Sequence, residues 1–377
     1  MPLRRLLISL VLSACAGVAC AETSPADAAR AAAAQLEEAS VALQKADEAR
    51  DRVEALTQTV QAYEAGLAAM RDGLRRASIR ERQLQRELDT REEEIIRLIA
   101  VLQTMGQAPA PTLLLHPSGA TGTARAGMIL ADATPALDAQ AEKLRKDLFE
   151  VTLLRELQEG AAERLRDGLT GAQNARTQLS QAIADRTNLP RRFDEDPVKT
   201  ALLIASTETL EGFASGLSQI TTGSETPVSL PDIEARKGEL PLPVQASVLQ
   251  RANEADAEGV RRPGLVLATR PNALVTTPTA ATIRYRGPLL DLGNVMILEP
   301  RPGLLFVLAG LETVFGDTGE VLPEGAPVGL MGGKDPEIGS ILSQTSDGTG
   351  TDRTETLYIE VRQGKTPVDP ETWFRTN

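Results

Sequence analysis

The sequence predicts an α+β chain in which a long antiparallel coiled-coil hairpin precedes a small, mainly-β domain. Three observations carry that expectation. Apolar residues recur at alternating three- and four-residue spacing from Ala32 to Leu102, a second such run extends from Leu137 to Ile183, and beyond Pro241 the pattern changes to short apolar stretches punctuated by Gly and Pro.

The chain opens with Arg4 and Arg5 ahead of an apolar run, Leu6 to Ala14, that is too short to span a bilayer. Ala19 and Ala21 then occupy the small-residue positions of an A-x-A cleavage site, so residues 1–21 read as an export signal. The stretch LSAC ending at Cys15 gives a second reading, a lipoprotein box that would leave Cys15 lipidated. Cleavage after Ala21 removes both Cys15 and Cys20, and the mature chain then has no disulfide or thiol chemistry. With 52 Asp+Glu against 40 Lys+Arg the net charge is −12, which argues against a nucleic-acid-binding surface. Only 3% of residues are aromatic, too few for a platform that stacks bases or sugars, so a partner protein is the expected ligand.

The hairpin is expected over residues 24–188. In its first arm the seam holds Val53, Leu56, Val60, Tyr63, Leu67, Met70, Leu74 and Ala77, with charged residues and Ala between, and no proline occurs from Ala26 to Gln107. A repeat sustained this long indicates a coiled coil. The arm would reach about 100–120 Å at 1.5 Å per residue. The second arm continues through Leu144, Leu148, Val151, Leu165, Leu169, Ala172 and Leu179 and is shorter. Two arms joined by a non-helical tip, at about 107–135, make an antiparallel hairpin, and the Ala-rich start of the longer arm is left to pack elsewhere or fray. The tip carries Leu113, Leu114, Leu115, Met128, Ile129 and Leu130 with few charges, the mark of a contact surface or of a small helical knob. His116 also lies there, and one imidazole cannot make a metal site.

Asn188 to Pro197 breaks the second arm. Residues 197–220 resume helical spacing through Leu202, Leu203, Leu210, Phe213 and Leu217, and 221–240 reads as an extended connector. A lone amphipathic helix must bury its face on something. It serves either as a removable lid on the C-terminal domain or as a packing helix at the base of the coil. The C-terminal domain, 241–377, shows candidate strands at 264–267, 273–275, 281–286, 294–299, 304–308, 328–330 and 356–362.

Several of its segments carry a family likeness: GNVMILE at 293–299, GLLFVLAGL at 303–311, GDTGEVLPEGAPVG at 316–329 and LYIEVR at 357–362, with KGELPLP at 237–243 as a lead-in. Together they resemble the LytM (lysostaphin-type) metallopeptidase domain, a duplicated hybrid motif of mainly-β structure. The order of export signal, coiled-coil arms and this domain is similar to that of the EnvC-type murein hydrolase activators of bacterial division. Active LytM members carry a His-x-x-x-Asp motif, a His before the central Gly-rich turn and a final His-x-His. By this resemblance the matching positions here are Arg262 and Val266, Gly310, and Thr356 and Tyr358. A hydrolytic zinc site needs imidazole and carboxylate ligands and a base, and the one histidine of the chain is His116, far from this region. The expectation is therefore a degenerate, non-enzymatic domain with no metal or other cofactor, working by binding.

Its groove is expected to present Arg262, Val266, Gly310, Tyr358 and Arg362, with Arg284 and Tyr285 on a neighbouring strand; Tyr and Arg are favoured anchors for a partner. The resemblance implies that the ligand is an N-acetylmuramoyl-L-alanine amidase, captured by its inhibitory helix in daughter-cell separation. It further implies that the coil couples to the periplasmic loop of the division ABC transporter FtsEX, with at most weak peptidoglycan contact. The chain would act in the periplasm. Two other readings stay open. A periplasmic adaptor of an export pump also joins a coiled hairpin to β modules, but with strands on both sides of the hairpin, whereas here the coil follows the export signal directly. A structural coiled-coil spacer with an inert domain is the third.

Overall fold

The computed structural model describes residues 25–107, 119–186, 189–193, 196–217, 231–255, 259–335 and 353–376. Helices come first: α1 (Pro25–Lys45), α2 (Ala49–Thr90), α3 (Glu92–Gln107), α4 (Gly119–Ala184), α5 (Pro197–Ser206) and α6 (Leu210–Leu217). The strands follow: β1 (Ala246–Gln250), β2 (Leu265–Thr269), β3 (Leu274–Thr276), β4 (Ala281–Pro288), β5 (Asn294–Arg301), β6 (Leu304–Val314), β7 (Val321–Leu322), β8 (Pro327–Met331), β9 (Glu355–Gln363) and β10 (Thr366–Val368). No helix of the described residues is long and apolar enough to cross a membrane.

Helices α2 and α4 lie antiparallel around Leu67, Leu74, Leu165, Leu169 and Ala172. Their approach is close because α4 offers glycines to bulky residues of α2. A Cβ on Gly171 would sit 2.5 Å from the Tyr63 ring, and one on Gly168 would sit 2.9 Å from Leu67. Farther out, Arg80 Nε donates to Glu150 at 2.7 Å and Arg155 Nε donates to Glu81 at 2.9 Å, pairs that fix the same register.

Three features depart from the sequence expectation. The first arm is not one helix: it breaks at Ala46–Glu48 and again at Arg91, and α1 packs back on α2. The small residues of α1 permit this. Ala32 and Ala39 are buried, and the Ala32 methyl lies 3.7 Å from where a Cβ of Gly66 would be. The second arm also starts earlier than expected, because α4 begins at Gly119 and runs through Pro135, inside the stretch read as a non-helical tip. Strong helix formers on both sides of that proline carry the helix past one lost hydrogen bond. Of the tip residues, Leu113, Leu114 and Leu115 lie outside the described residues, as do His116 and the export signal. Met128, Ile129 and Leu130 lie on α4, where Met128 is 74% exposed. The third difference is that the helix expected over 197–220 is two helices, parted at Thr207 by an extended backbone (φ −117°, ψ 132°).

The strands form one antiparallel sheet in the order β1-β2-β9-β6-β5-β4-β7, with β10 beside β9, and β8 joining β3 to β6. Because side chains alternate along a strand, the central strands have two distinct faces. Met296, Leu298, Leu304, Phe306, Leu308, Leu357, Ile359 and Val361 point into the main core, closed by Trp373 and Phe374 near the C-terminus. Val295, Ile297, Leu305, Val307 and Ala309 point the other way, beneath α6.

The base of the helical pair docks on the sheet domain. Val53, Leu56 and Val60 of α2 and Leu179 and Ile183 of α4 share a core with Leu274 and Phe315. The chain after α4 continues the attachment, with Arg192 N–H donating to Gly319 O at 2.8 Å and Val321 N–H donating to Pro190 O at 2.9 Å. Leu179 is fully buried in this shared core. Leu179→Ala is expected to cost about 2–5 kcal/mol, read as a lower urea midpoint of the whole chain. An unchanged midpoint would mean that helices and sheet do not share a core.

Candidate functional site

On the sheet face opposite the main core, strands β2, β9 and β6 lie side by side. Their pairing sets Val266 opposite Tyr358, and Tyr358 opposite Ala309. This row floors an open cleft of about 820 Å³, whose lining also includes Arg262, Gly310, Thr356, Glu360 and Arg362. The positions that the LytM likeness singled out, Arg262, Val266, Gly310, Thr356 and Tyr358, thus share one concavity. Gly310 adopts φ 98°, and a side chain there would meet the Thr356 carbonyl at 2.6 Å.

Period two along β9 puts Tyr358, Glu360 and Arg362 on this face. The Tyr358 hydroxyl donates to Glu360 Oε2 at 2.7 Å, and Arg362 Nη1 donates to Glu360 Oε1 at 2.5 Å. Arg362 also donates to the Lys365 carbonyl at 2.6 Å and to Ser215 Oγ at 3.4 Å, and lies 3.7 Å from Glu211. It is 1% exposed, so it is a tethered structural cation and not the open anchor expected from the sequence. Glu360 escaped the sequence reading, although a period-two count from Tyr358 reaches it.

The phenol of Tyr358 is held well above its ordinary pKa, chiefly by burial and then by the neighbouring Glu360 charge. Its ring lies over Gly264, where a Cβ would stand 2.5 Å from the ring and 2.4 Å from Ile359 O; no other residue fits.

Arg284 and Tyr285 do not line the cleft. The β4–β5 register slips between Ile283 and Tyr285, a bulge that brings adjacent residues to one face, under α6. Tyr285 meets Phe213 edge-on, with ring centroids 4.7 Å apart. Arg284 Nη2 donates to the Leu217 carbonyl at 3.2 Å, its guanidinium stacks 4.7 Å from the Phe193 ring, and it lies 3.7 Å from Glu299. Glu299 in turn accepts from Arg192 Nη1 at 2.9 Å.

Helix α6 is too short to be stable alone and forms because Phe213, Ala214 and Leu217 are buried against this face. Full burial of a residue such as Phe213 contributes about 1.5–3 kcal/mol. Where α6 ends its cover, the cleft begins, rimmed by Glu208 and Glu211 on one side and by Arg261 and Leu290 on others. Leu290 is 44% exposed at φ 52°, a left-handed backbone that a leucine rarely adopts. No cluster of His, Cys, Asp and Glu suited to a metal ion occurs among the described residues.

No protein-family model matches the chain, and no curated protein sequence does. Among solved structures it is similar to Csd3 of Helicobacter pylori, at 19% identity and TM-score 0.28 over 37% of this chain and 35% of that one. It is similar also to a zinc-containing peptidase of Vibrio cholerae, at 16% identity and TM-score 0.28 over 36% of this chain and 39% of that one. The match thus spans little more than a third of the length of either protein. A third is the catalytic domain of the prophage-encoded M23 protein EnpA of Enterococcus faecalis, at 14% identity and TM-score 0.28 over 37% of this chain and 98% of that one. These are likenesses of fold.

The raised pKa of Tyr358 has a definite consequence for stability. The folded protein holds this proton more tightly than the unfolded chain does. Tyr358 therefore contributes stability below the ordinary tyrosine pKa of about 10 and loses it as pH rises past that value. Tyr358→Phe is expected to flatten the fall in stability above pH about 10, measured by urea unfolding across that range. Equal slopes for the two proteins would refute the assignment.

Proposed function

We propose that the chain is a non-enzymatic activator of peptidoglycan amidases of the EnvC type, built from a degenerate LytM-type domain carried on a coiled-coil hairpin. The observation that carries this reading is the cleft: an apolar floor of Val266, Ala309 and Tyr358 inside a charged rim, the arrangement that accepts an amphipathic helix. At the positions where a LytM peptidase holds zinc, Arg262 would repel a cation and Val266 and Gly310 offer no ligand atom on a side chain. Binding is then the activity left to this site. The ligand would be an N-acetylmuramoyl-L-alanine amidase, which gives up its inhibitory helix to the cleft during daughter-cell separation.

The segment α5–α6 supports a regulatory reading. Glu208 and Glu211 stand at the rim, and α6 covers Tyr285, Val295, Ile297 and Val307. Displacing it would extend the apolar floor by those residues. A signal received by the hairpin, from the periplasmic loop of FtsEX, need only favour the displaced state. The chain would act in the periplasm, released by cleavage after Ala21 or tethered through Cys15, with peptidoglycan contact at most weak.

The purified full-length chain is expected to show no muralytic activity of its own and to stimulate an amidase. Leu290→Asp suits a left-handed backbone and places a charge at the rim; it is expected to cut stimulation about tenfold or more with little change in Tm. Amide hydrolysis by the chain alone, abolished by a chelator, would overturn the reading. So would full stimulation by the variant together with Val266→Glu.

A further inference from the structure

The floor of the cleft has the girth of one helix. Neighbouring strands lie about 4.8 Å apart, so the row Val266, Tyr358 and Ala309 across β2, β9 and β6 is about 10 Å wide, the diameter of an α-helix. A volume of about 820 Å³ holds about two turns of a helix sunk to its full girth, or about four turns of one half embedded.

The two long walls of the cleft carry opposite charge. On the β2 side stand Arg261 and Arg262, exposed residues of the loop that leads into that strand. Arg261 Nη1 donates to the Asn253 carbonyl at 2.7 Å, a neutral partner that leaves the positive charge at the rim. On the β6 side the wall is the start of α6. This helix meets β4 through Phe213 and Tyr285 and turns Glu211 and Ser215, one helical turn apart, toward Arg362 on β9. Glu208 and Glu211 line the cleft from there, and both are exposed. The ends of the cleft are distinct as well. Leu290 and Gly310 lie at one and Pro367 at the other, since β9 sets Tyr358 beside Ala309 and Arg362 beside Pro367.

We propose that the cleft reads charge as well as shape: it takes an amphipathic helix that is acidic along one flank and basic along the other, and holds it in one direction, acidic flank on Arg261 and basic flank on Glu208. This rests on the reading of the cleft as a helix site and adds which helix enters and which way round. Turning such a helix end for end exchanges its flanks, so the reversed helix sets acid against Glu208 and base against Arg261. Like charges placed together across an interface are disfavoured. A helix acidic on both flanks, or basic on both, opposes one wall in either direction.

The test uses the full chain and three synthetic helices with one shared apolar face: one flank Glu and the other Lys, both flanks Glu, and both flanks Lys. Binding is read by fluorescence anisotropy at low ionic strength, where rim charges are least screened. Glu208→Lys should move the preference from the mixed helix toward the doubly acidic one by about three- to tenfold, and Arg261→Glu toward the doubly basic one by a similar factor. Comparing variant with wild type for each peptide cancels the general attraction of a basic peptide to a chain of net charge −12. Both positions are exposed, so Tm should not change. A photo-crosslinker at the N-terminus of the mixed helix should label the chain near Leu290 or near Pro367 and not both, and exchanging the flanks should move the label to the opposite end. Equal response of the three peptides to both substitutions, or labelling of both ends by one peptide, would overturn the proposal and leave the cleft an apolar helix site. Failure of all three to bind would overturn it together with the helix reading on which it rests.

Discussion

The two apolar faces of strands β5 and β6 are the constraint on which the rest depends. A strand buried on one side only can leave its other side to water, but here Leu305, Val307, Val295 and Ile297 alternate with Phe306, Leu308, Met296 and Leu298, and all are buried. A sheet of this kind must be covered twice. One cover is the main core under Trp373 and Phe374. The other is α6, an eight-residue helix with Phe213 and Leu217 as its contacts, too small to cover the whole face. The cleft is the uncovered remainder, and its position follows from where α6 ends.

Polar groups on the same face obey a related constraint. Glu360, Arg362, Glu299 and Arg284 are all buried, and buried charges persist only when paired and hydrogen-bonded. Glu360 joins Tyr358 to Arg362, while Glu299 joins Arg192 to Arg284. Each pair ties the sheet to a segment that precedes it in sequence. Arg362 meets Ser215 and Glu211 of α6, and Arg192 belongs to the stretch leaving α4.

Much of this was legible in the sequence, for physical reasons that also mark its limits. Apolar runs bounded by Gly and Pro located β2 to β6, β8 and β9, because such runs have few alternative structures. The strands overlooked were β7, of two residues, β10, of three, and the edge strand β1, none of which carries a clear alternation. The seam from Val53 to Ala77 identified the interface with α4, but spacing does not say which helix a seam faces. Ala46 and Ala49 satisfy the repeat equally well in a straight helix and beside a fold-back. The cleft row Val266, Gly310 and Tyr358 came from likeness to a known domain. Arg284 and Tyr285 were misplaced because a bulge depends on the partner strand's register, which a single strand's sequence does not carry.

The same buried pairs limit how the helices and the cleft can move relative to one another. From the end of α4 the chain is fixed to β7 through Pro190 and to Gly319, just ahead of that strand, through Arg192, and Arg192 reaches Glu299. Glu299 stands beside Arg284, which holds the last carbonyl of α6. Rigid-body displacement of α4 large enough to draw this segment off the sheet must first separate Arg192 from Glu299, leaving a buried carboxylate with Arg284 as its remaining cation. Under the proposed function, a signal travelling along the helices therefore meets this pair before it meets α6. The path is contiguous and made of discrete, partnered contacts, the physical requirement for coupling two sites through a protein. The apolar contacts of α6 are non-directional and weaken gradually with separation, so the polar chain from Arg192 to Leu217 is the part of the structure able to respond in a stepwise manner.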